Sequence, residues 1–185
     1  SITSSPAGQD LLVGVEGLVG SEYDDVLTGS ADANILLGQA GDDVIEGGMG
    51  DDIIYGGDGF DYASYASATT PVFVDLSITW EQETGDSTGW DELSGIEGLI
   101  GSAYNDELAG DDEDNILIGG EGADVLDGGD GTDTVSYEYA AAGVVASLID
   151  PSGNTNEAAG DTYTDIENLT GSACDDILTG DTNDN

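Results

Sequence analysis

The 185-residue chain contains no lysine, arginine or histidine, while 41 of its residues are aspartate or glutamate. No carboxylate can therefore be neutralised by a basic side chain. Two carboxylates about 4 Å apart repel each other by roughly 1 kcal/mol in water, and by about 4 kcal/mol at an effective dielectric constant near 20. A compact fold at neutral pH consequently needs bound cations, because protonation, the other source of relief, needs low pH.

The same absences exclude several classes of function. A nucleic-acid-binding protein needs Lys or Arg to displace phosphate counterions, and an anionic membrane surface would repel this chain. No apolar run approaches the roughly 20 residues of a membrane-spanning helix, and no basic start of a signal peptide is visible. The single cysteine, Cys174, cannot form an internal disulfide.

The hydrophobic content argues against permanent disorder. Strong acidity with few aromatic residues is typical of a disordered, solvated chain. Here, however, 38% of the residues are hydrophobic, and they recur in short clusters that favour β structure. We therefore expect an ordered fold when metal is bound, and disorder stays open as the state without metal.

Nine-residue units run through the chain in three blocks. Consecutive units cover residues 20–64 and 101–136, and a further unit begins at Gly171. Each unit begins with glycine and has Asp or Asn at its sixth place; the eighth place is apolar. The sixth-place residues are Asp25, Asn34, Asp43, Asp52, Asp61, Asp106, Asn115, Asp124, Asp133 and Asp176. The eighth-place residues of the first two blocks are Leu27, Leu36, Ile45, Ile54, Ala63, Leu108, Leu117, Leu126 and Val135.

This period predicts a flattened coil. Glycines let the backbone turn through positive φ, and a turn followed by a three-residue strand makes half of one coil. Sixth and eighth places then share a face, and every second unit stacks about 4.8 Å away. Sixth-place carboxylates and turn carbonyls of successive coils come together, and calcium prefers six to eight such oxygen ligands. Softer metals lack His or thiolate ligands here.

Four units closely match the pattern G-G-x-G-x-D-x-U-x, where U is a large apolar residue: 47–55, 56–64, 119–127 and 128–136. Unit 38–46 differs only by Gln39. In this pattern the chain resembles the RTX nonapeptide repeats, which form a calcium-binding β-helix. The resemblance implies an all-β fold, a parallel β-roll built from nonapeptide half-coils and interrupted here by strand-and-loop inserts. The implied pairs across coils are Asp25 with Asp43, Asp43 with Asp61, Asn34 with Asp52, Asp106 with Asp124, and Asn115 with Asp133.

The resemblance also implies that several calcium ions per chain are held by sixth-place side chains and by carbonyls of the turn glycines. The implied ligands are the ten sixth-place residues named above and Gly38, Gly41, Gly47, Gly50, Gly56, Gly59, Gly119, Gly122, Gly128 and Gly131. The alternative is that the aspartates only initiate turns, which nine units in register disfavour.

The opening units of each block depart from the pattern. They lack the glycine pair and the fourth-place glycine, whose place is taken by Tyr23, Asp32, Tyr104 and Glu113. We expect poor sites there, and weaker binding where the sixth place is the uncharged Asn34 or Asn115. Cys174 occupies the place of Tyr23 and Tyr104, so we interpret it as a turn residue rather than a nucleophile.

A longer period encloses the nonapeptides. Residues 15–28, 96–109 and 166–179 are copies of one another. Extending the nine-residue register backwards predicts a degenerate opening coil in each copy, with glutamate, a candidate ligand, at the sixth place and leucine at the eighth. These residues are Glu16, Glu97 and Glu167, and Leu18, Leu99 and Leu169.

Two inserts, Tyr65–Gly95 and Tyr137–Asp165, separate the blocks. Each contains alternating apolar residues, which predict a strand with one buried face that extends the sheet of the roll. These residues are Val72, Val74 and Leu76, and Val144, Ala146 and Leu148. The first insert also carries Trp80 and Trp90. Capping of the core is the first interpretation of these tryptophans, and sugar binding by a loop is the alternative.

The predicted segments follow from these boundaries. They are the end of a preceding insert (1–10), a first roll block (11–64), an insert (65–91), a second block (92–136), a second insert (137–161) and the start of a third block (162–185). Both ends interrupt a repeat, which predicts either a window onto a longer tandem array or a processed subunit that joins its neighbours head-to-tail in a filament.

The first functional hypothesis is a calcium-stiffened stalk, matrix fibre or adhesin segment of a large secreted bacterial protein, located outside the cell or at its surface. The resemblance implies type I secretion of an unfolded chain that folds outside the cell. The alternatives are a calcium-dependent C-terminal module of a secreted RTX enzyme or toxin, and an adhesin that binds glycans through the insert loops. The chain itself offers no nucleophile with a base, so we do not predict an enzyme. Expected partners are calcium, neighbouring copies and extracellular glycans, without nucleic acid or direct membrane insertion.

Overall fold

A computed structural model of the chain describes residues 16–182. Within this range the chain is all-β, with short strands and two single-turn 3-10 helices, Pro151–Gly153 and Asn156–Ala158. The strands are β1 (Gly17–Val19), β2 (Val26–Thr28), β3 (Ile35–Ala40), β4 (Val44–Glu46), β5 (Ile53–Asp58), β6 (Tyr62–Ser64), β7 (Phe73–Asp75), β8 (Gln82–Gly85), β9 (Gly89–Ser94), β10 (Gly98–Ile100), β11 (Glu107–Ala109), β12 (Ile116–Ile118), β13 (Val125–Asp127), β14 (Thr134–Ser136), β15 (Val145–Ser147), β16 (Thr162–Thr164), β17 (Asn168–Thr170) and β18 (Ile177–Thr179). None of the helical turns in this range is long and apolar enough to cross a membrane.

Strands that lie two units apart along the chain pair in parallel. One continuous sheet has the order β2–β4–β6–β10–β12–β14–β17. Within a block its register joins residues 18 positions apart, as in the pairing of Val26 with Val44. Two nine-residue units therefore close one coil, and the predicted parallel β-roll is confirmed.

The opposite face of the roll is divided into three sheets, with orders β1–β3–β5–β9–β8, β7–β11–β13–β16 and β15–β18. Strand β9 of the first insert joins the preceding block through β5, whereas β7 of the same insert joins the following block through β11. The second insert repeats this arrangement, with β16 on β13 and β15 on β18. The prediction that the insert strands extend the roll is confirmed.

Side-chain amides join elements where the sheets of this face are interrupted. Oε1 of Gln82 accepts the backbone N–H of Asp75, and its Nε2 donates to the Asp75 carbonyl, both at 2.9 Å. In the second insert Asn154 accepts the N–H of Ser147 and donates to the hydroxyl of Tyr163. The bonds to Asp75 and Ser147 satisfy backbone groups that strand pairing would otherwise satisfy.

The core is a row of eighth-place side chains. Leu36, Ile45, Ile54 and Leu117 are fully buried, whereas the seventh-place Val26 is 79% exposed. Full burial of one such aliphatic side chain contributes about 1.5–3 kcal/mol. Because each side chain stacks on the one in the next coil, stability accumulates coil by coil, as in other solenoids.

The continuous sheet crosses the predicted segment boundaries. Strand β6 pairs with β10, and β14 pairs with β17, so successive blocks share this sheet across each insert. The predicted segment 1–10 lies outside the described residues. The boundaries themselves stay predictions.

Candidate functional site

Five glycine-rich turns share one backbone conformation, in which the second and fourth places have positive φ. At the second place φ is 131° at Gly57 and 88° at Gln39, which adopts this conformation without being glycine. The first-place glycine is not in this region, so the turn depends on the second and fourth places. We call these the open units: 38–46, 47–55, 56–64, 119–127 and 128–136.

The first-place glycine is required for a different reason. A Cβ built on Gly38 would lie within 3.0 Å of Oδ2 of Asp43 and of the carbonyl oxygen of Gly56 in the next coil. The same collision with the unit's own sixth-place Oδ2 occurs at Gly47 and Gly119. The glycine therefore keeps open a small space lined by oxygens, which any side chain would fill.

The sixth-place side chains stack with one hydrogen bond per coil. The N–H of Asp25 donates to Oδ1 of Asp43 at 2.7 Å, and the N–H of Asp43 donates to Oδ1 of Asp61 at 2.8 Å. The same bond joins the other implied pairs, which are Asn34–Asp52, Asp106–Asp124 and Asn115–Asp133. The structure thus brings every implied pair together.

In the open units the other carboxylate oxygen has no hydrogen-bond partner. The atoms concerned are Oδ2 of Asp43, Asp52, Asp61, Asp124 and Asp133, all of them buried. A buried polar atom left without a partner costs about 1–3 kcal/mol, and more when it is charged. Among the described residues, these five oxygens are therefore the atoms that a bound cation would stabilise most directly.

The raised pKa values of these carboxyls also show that burial disfavours their ionised form. Burial, with added repulsion from neighbouring carboxylates, raises the pKa of Asp43 and of Asp133 to about 6, and that of Asp124 to about 7. The repelling neighbours include Asp61 for Asp43 and Asp161 for Asp124. A cation between successive coils would reverse this balance, because an adjacent positive charge favours the ionised form.

The opening units satisfy their sixth-place oxygens internally. The N–H of the second-place residue donates to the sixth-place side chain, as from Ser21 to Asp25 at 2.6 Å and from Ser30 to Asn34 at 2.6 Å. Units 101–109 and 110–118 make the same bond. We call these the closed units: 20–28, 29–37, 101–109 and 110–118. In unit 171–179, Asp176 accepts the hydroxyl of Ser172, as Asp25 accepts that of Ser21 and Asp106 that of Ser102.

Two buried aspartates of the inserts continue these stacks and are not among the residues implied by the resemblance. Oδ1 of Asp91 accepts the N–H of Asp52, and Oδ1 of Asp161 accepts the N–H of Asp124. Burial raises the pKa of both carboxyls to about 6. Each lies six residues before one of the predicted sixth-place glutamates, and this recurring spacing is a signal that the sequence contained.

These two aspartates differ from the open units because hydroxyl groups reach their Oδ2 atoms. Tyr65 and Thr84 donate to Asp91 at 3.2 and 2.9 Å, and Tyr137 donates to Asp161 at 2.8 Å. At each insert, hydroxyl groups therefore satisfy the carboxylate oxygen at the end of this stack, so that no cation is needed there.

The predicted opening-coil glutamates lie in the stacks as well. Oε2 of Glu97 accepts the N–H of Asp61 at 2.9 Å, and Oε2 of Glu167 accepts the N–H of Asp133 at 2.8 Å. The backward extension of the nine-residue register is confirmed at these two positions.

No group of three His, Cys, Asp or Glu residues suited to hold a metal is found within residues 16–182. A cation in an open unit would instead lie among a few carboxylate oxygens of successive coils and backbone carbonyls. Calcium accepts such mixed oxygen ligands, whereas softer metals favour His or Cys. The donor set therefore fits calcium.

The interpretation that the tryptophans cap the core is wrong. Trp80 is 66% exposed and Trp90 is 47% exposed. Together with the exposed Phe73 they line an open cleft of 420 Å³ over strands β7 to β9. The aromatic faces point to solvent because the hairpin of β8 and β9 completes the sheet, and the core beneath is filled by Val72 and Val74.

Cys174 is exposed and occupies the predicted turn place. Its N–H donates to the hydroxyl of Ser172, as the N–H of Tyr23 donates to Ser21 and that of Tyr104 to Ser102. The three residues are equivalent in structure as well as in sequence.

A parallel β-roll with oxygen-lined glycine turns defines a class of calcium-binding solenoid. Comparison with protein families agrees, since the RTX calcium-binding nonapeptide repeat (4 copies) matches residues 18–43, 28–63 and 100–135. The chain therefore contains RTX calcium-binding nonapeptide repeats over these residues. It is a calcium-binding repeat segment, and the matched family is a structural repeat rather than a catalytic domain. No curated protein matches the chain.

Proposed function

We propose that the chain is a structural segment of a secreted protein, serving as a stalk, matrix fibre or adhesin, which folds and stiffens when calcium binds. The observation that carries this proposal is the set of five buried Oδ2 atoms without partners in a chain that has no basic residue. Calcium supplies the positive charge that the chain lacks.

The proposed ligands are those of the open units. They are the sixth-place carboxylates Asp43, Asp52, Asp61, Asp124 and Asp133, with turn carbonyls from Gly38, Gly41, Gly47, Gly50, Gly56, Gly59, Gly119, Gly122, Gly128 and Gly131. The sixth-place side chains of the closed units and of unit 171–179 are hydrogen-bonded within their own turns. We assign Asp25, Asn34, Asp106, Asn115 and Asp176 a structural role in the stacks.

Calcium-dependent folding also fits export from the cell. Metal that binds only the native state stabilises it by mass action, so a chain made in a calcium-poor cytoplasm stays unfolded and folds outside. Type I secretion of an unfolded chain and an extracellular location follow from this order of events. The roll then acts as a stiff spacer rather than as an enzyme.

Circular dichroism of the full chain at pH 7 tests the proposal. We expect a spectrum of a largely unfolded chain in excess chelator, and β structure when calcium is raised through about 0.1–1 mM, the affinity range of weak extracellular calcium modules. The same concentration of magnesium is the control, because magnesium retains its waters and requires a tighter octahedron. An equally folded spectrum in chelator would overturn the proposal.

The aromatic cleft supports a second candidate role, adhesion to glycans. Exposed Trp80, Trp90 and Phe73 offer flat apolar faces, and the chain's charge excludes strongly anionic ligands. A glycan array with the calcium-loaded chain should show binding that Trp80→Ala removes and that Tyr23→Ala, at an exposed turn residue, retains. An array without any signal would rule this role out.

A further inference from the structure

The last open unit of each block, 56–64 and 128–136, differs from open unit 38–46, whose stacked coil lies in the same block. Its sixth-place residue, Asp61 or Asp133, has a buried Oδ2 without a partner. The coil stacked on it belongs to the next block, 34 to 36 residues further along the chain. The surroundings of these two oxygens are therefore completed from across an insert.

The oxygens that complete the first junction come from Gly95 and Glu97. A Cβ on Gly56 would lie within 3.0 Å of both Oδ2 of Asp61 and the carbonyl oxygen of Gly95. Inside the block, the corresponding point beside Gly38 lies within 3.0 Å of Oδ2 of Asp43 and the carbonyl oxygen of Gly56. The junction thus rebuilds the oxygen-lined space of an interior unit, with Gly95 in place of a first-place glycine.

The same arrangement occurs independently at the second junction. A Cβ on Gly128 would lie within 3.0 Å of Oδ2 of Asp133 and of the carbonyl oxygen of Asp165. Glu167 accepts the N–H of Asp133 as Glu97 accepts that of Asp61. The two inserts differ in sequence. Each nevertheless places a carbonyl and, two residues later, a glutamate at equivalent positions beside the last open unit of the preceding block.

The charge around Glu97 favours a cation. It lines a cleft of 390 Å³ with the carboxylates of Asp111, Asp112, Glu113 and Asp114. With no basic residue in the chain, only a bound ion can neutralise this group of charges at neutral pH.

We propose that calcium ions bind at the two block junctions, one held by Asp61, Glu97 and the carbonyl of Gly95, the other by Asp133, Glu167 and the carbonyl of Asp165. The inference rests on the proposed calcium-dependent folding and adds two glutamates to its ligands. Each junction ion ties one block to the next across an insert, whose own strands pair with the sheets of the opposite face. Calcium then determines how firmly the blocks are joined, as well as whether each block folds.

The test is the double variant Glu97→Gln, Glu167→Gln in the full chain. Glutamine keeps an oxygen that can accept the N–H of Asp61 or Asp133, but it removes the charge. The matched control is Glu83→Gln, Glu107→Gln, which removes two exposed glutamates on strand faces. Calcium bound per chain is measured by equilibrium dialysis over a range of free calcium, and folding is checked by circular dichroism at saturating calcium.

We expect two of the ions to require at least about tenfold more free calcium in the junction variant, since calcium affinity depends on the number of charged ligands. The control variant should bind like the wild type. Hydrogen exchange at intermediate calcium should show lost protection in units 56–64 and 128–136, with unit 38–46 retained.

The outcomes separate the two proposals. A wild-type chain that binds no calcium contradicts the proposed function itself. A wild-type chain that binds calcium, with a folded junction variant whose binding curve is unchanged, contradicts the junction sites alone. A variant that fails to fold even at saturating calcium is compared with Glu97→Asp, Glu167→Asp, which keeps both charges. If that pair fails equally, charge is not the cause and the junction sites are rejected.

Discussion

Open and closed units share a first-place glycine, a sixth-place Asp or Asn and an apolar eighth place, but they satisfy the sixth-place side chain differently. In a closed unit the second-place N–H donates to the sixth-place side chain, as Ser21 does to Asp25. In an open unit the second place has positive φ, and Oδ2 of the sixth-place Asp is left without a partner. The difference teaches that positive φ at the second place, where four of the five open units have glycine and one has Gln39, exchanges an internal hydrogen bond for a space that a cation can use.

The occurrence of Asp or Asn at the sixth place differs between open and closed units. Asn34 and Asn115 occur only in closed units, where an amide oxygen accepts the second-place N–H as well as a carboxylate does. All five open units have Asp at the sixth place. A closed unit needs an acceptor, whereas an open unit needs a negative charge.

The largest expected effect on the open units comes from protonating their carboxylates in the absence of calcium. The pKa values of Asp43, Asp124 and Asp133 lie at about 6 to 7 in the fold, above their ordinary value of 3.8. The calcium-free fold therefore binds more protons than the unfolded chain between about pH 4 and pH 7, so its stability rises as the pH falls through this range.

We accordingly expect the calcium-free chain to gain β structure when the pH is lowered from 7 to 5, as measured by circular dichroism in chelator. The same change should weaken calcium binding, because protons and calcium compete for the same carboxylates. If the chain in chelator stays as unfolded at pH 5 as at pH 7, the repulsion in the open units is not what prevents folding.

A smaller and more local effect comes from changing one carboxylate of each kind. Asp124→Asn in an open unit should weaken calcium binding by about tenfold or more, because it removes a charged ligand. Asp106→Asn in a closed unit should leave the number and affinity of bound ions unchanged, with a cost of about 1 kcal/mol in stability for one altered hydrogen bond.

The measurement is calcium binding by equilibrium dialysis, with urea unfolding of the calcium-loaded chain for stability. Asp106 and Asp124 lie in the same stack, 18 residues apart, and are joined by a hydrogen bond. Equal losses of calcium affinity in both variants would abolish the distinction between open and closed units.

Much of the fold follows from local pattern. The apolar eighth place and the sixth-place Asp predict a strand with one buried face, and Leu36, Ile45 and Ile54 are buried as predicted. The parallel stacking at 18 residues follows from two units per coil. The exposure of Trp80 was not predictable in this way, because it depends on how the hairpin of β8 and β9 covers the core.

The sequence by itself determined the repeating turn, the buried apolar row and the need for cations, because each depends on residues within nine positions or on total charge. Only the tertiary structure decided which groups face the last open units of each stack. Those partners are Asp91, Glu97, Asp161 and Glu167, between 34 and 39 residues away. The physical reason is that an insert breaks the nine-residue period, so the residue that returns to the stack is set by the path of the whole insert and not by counting along the chain.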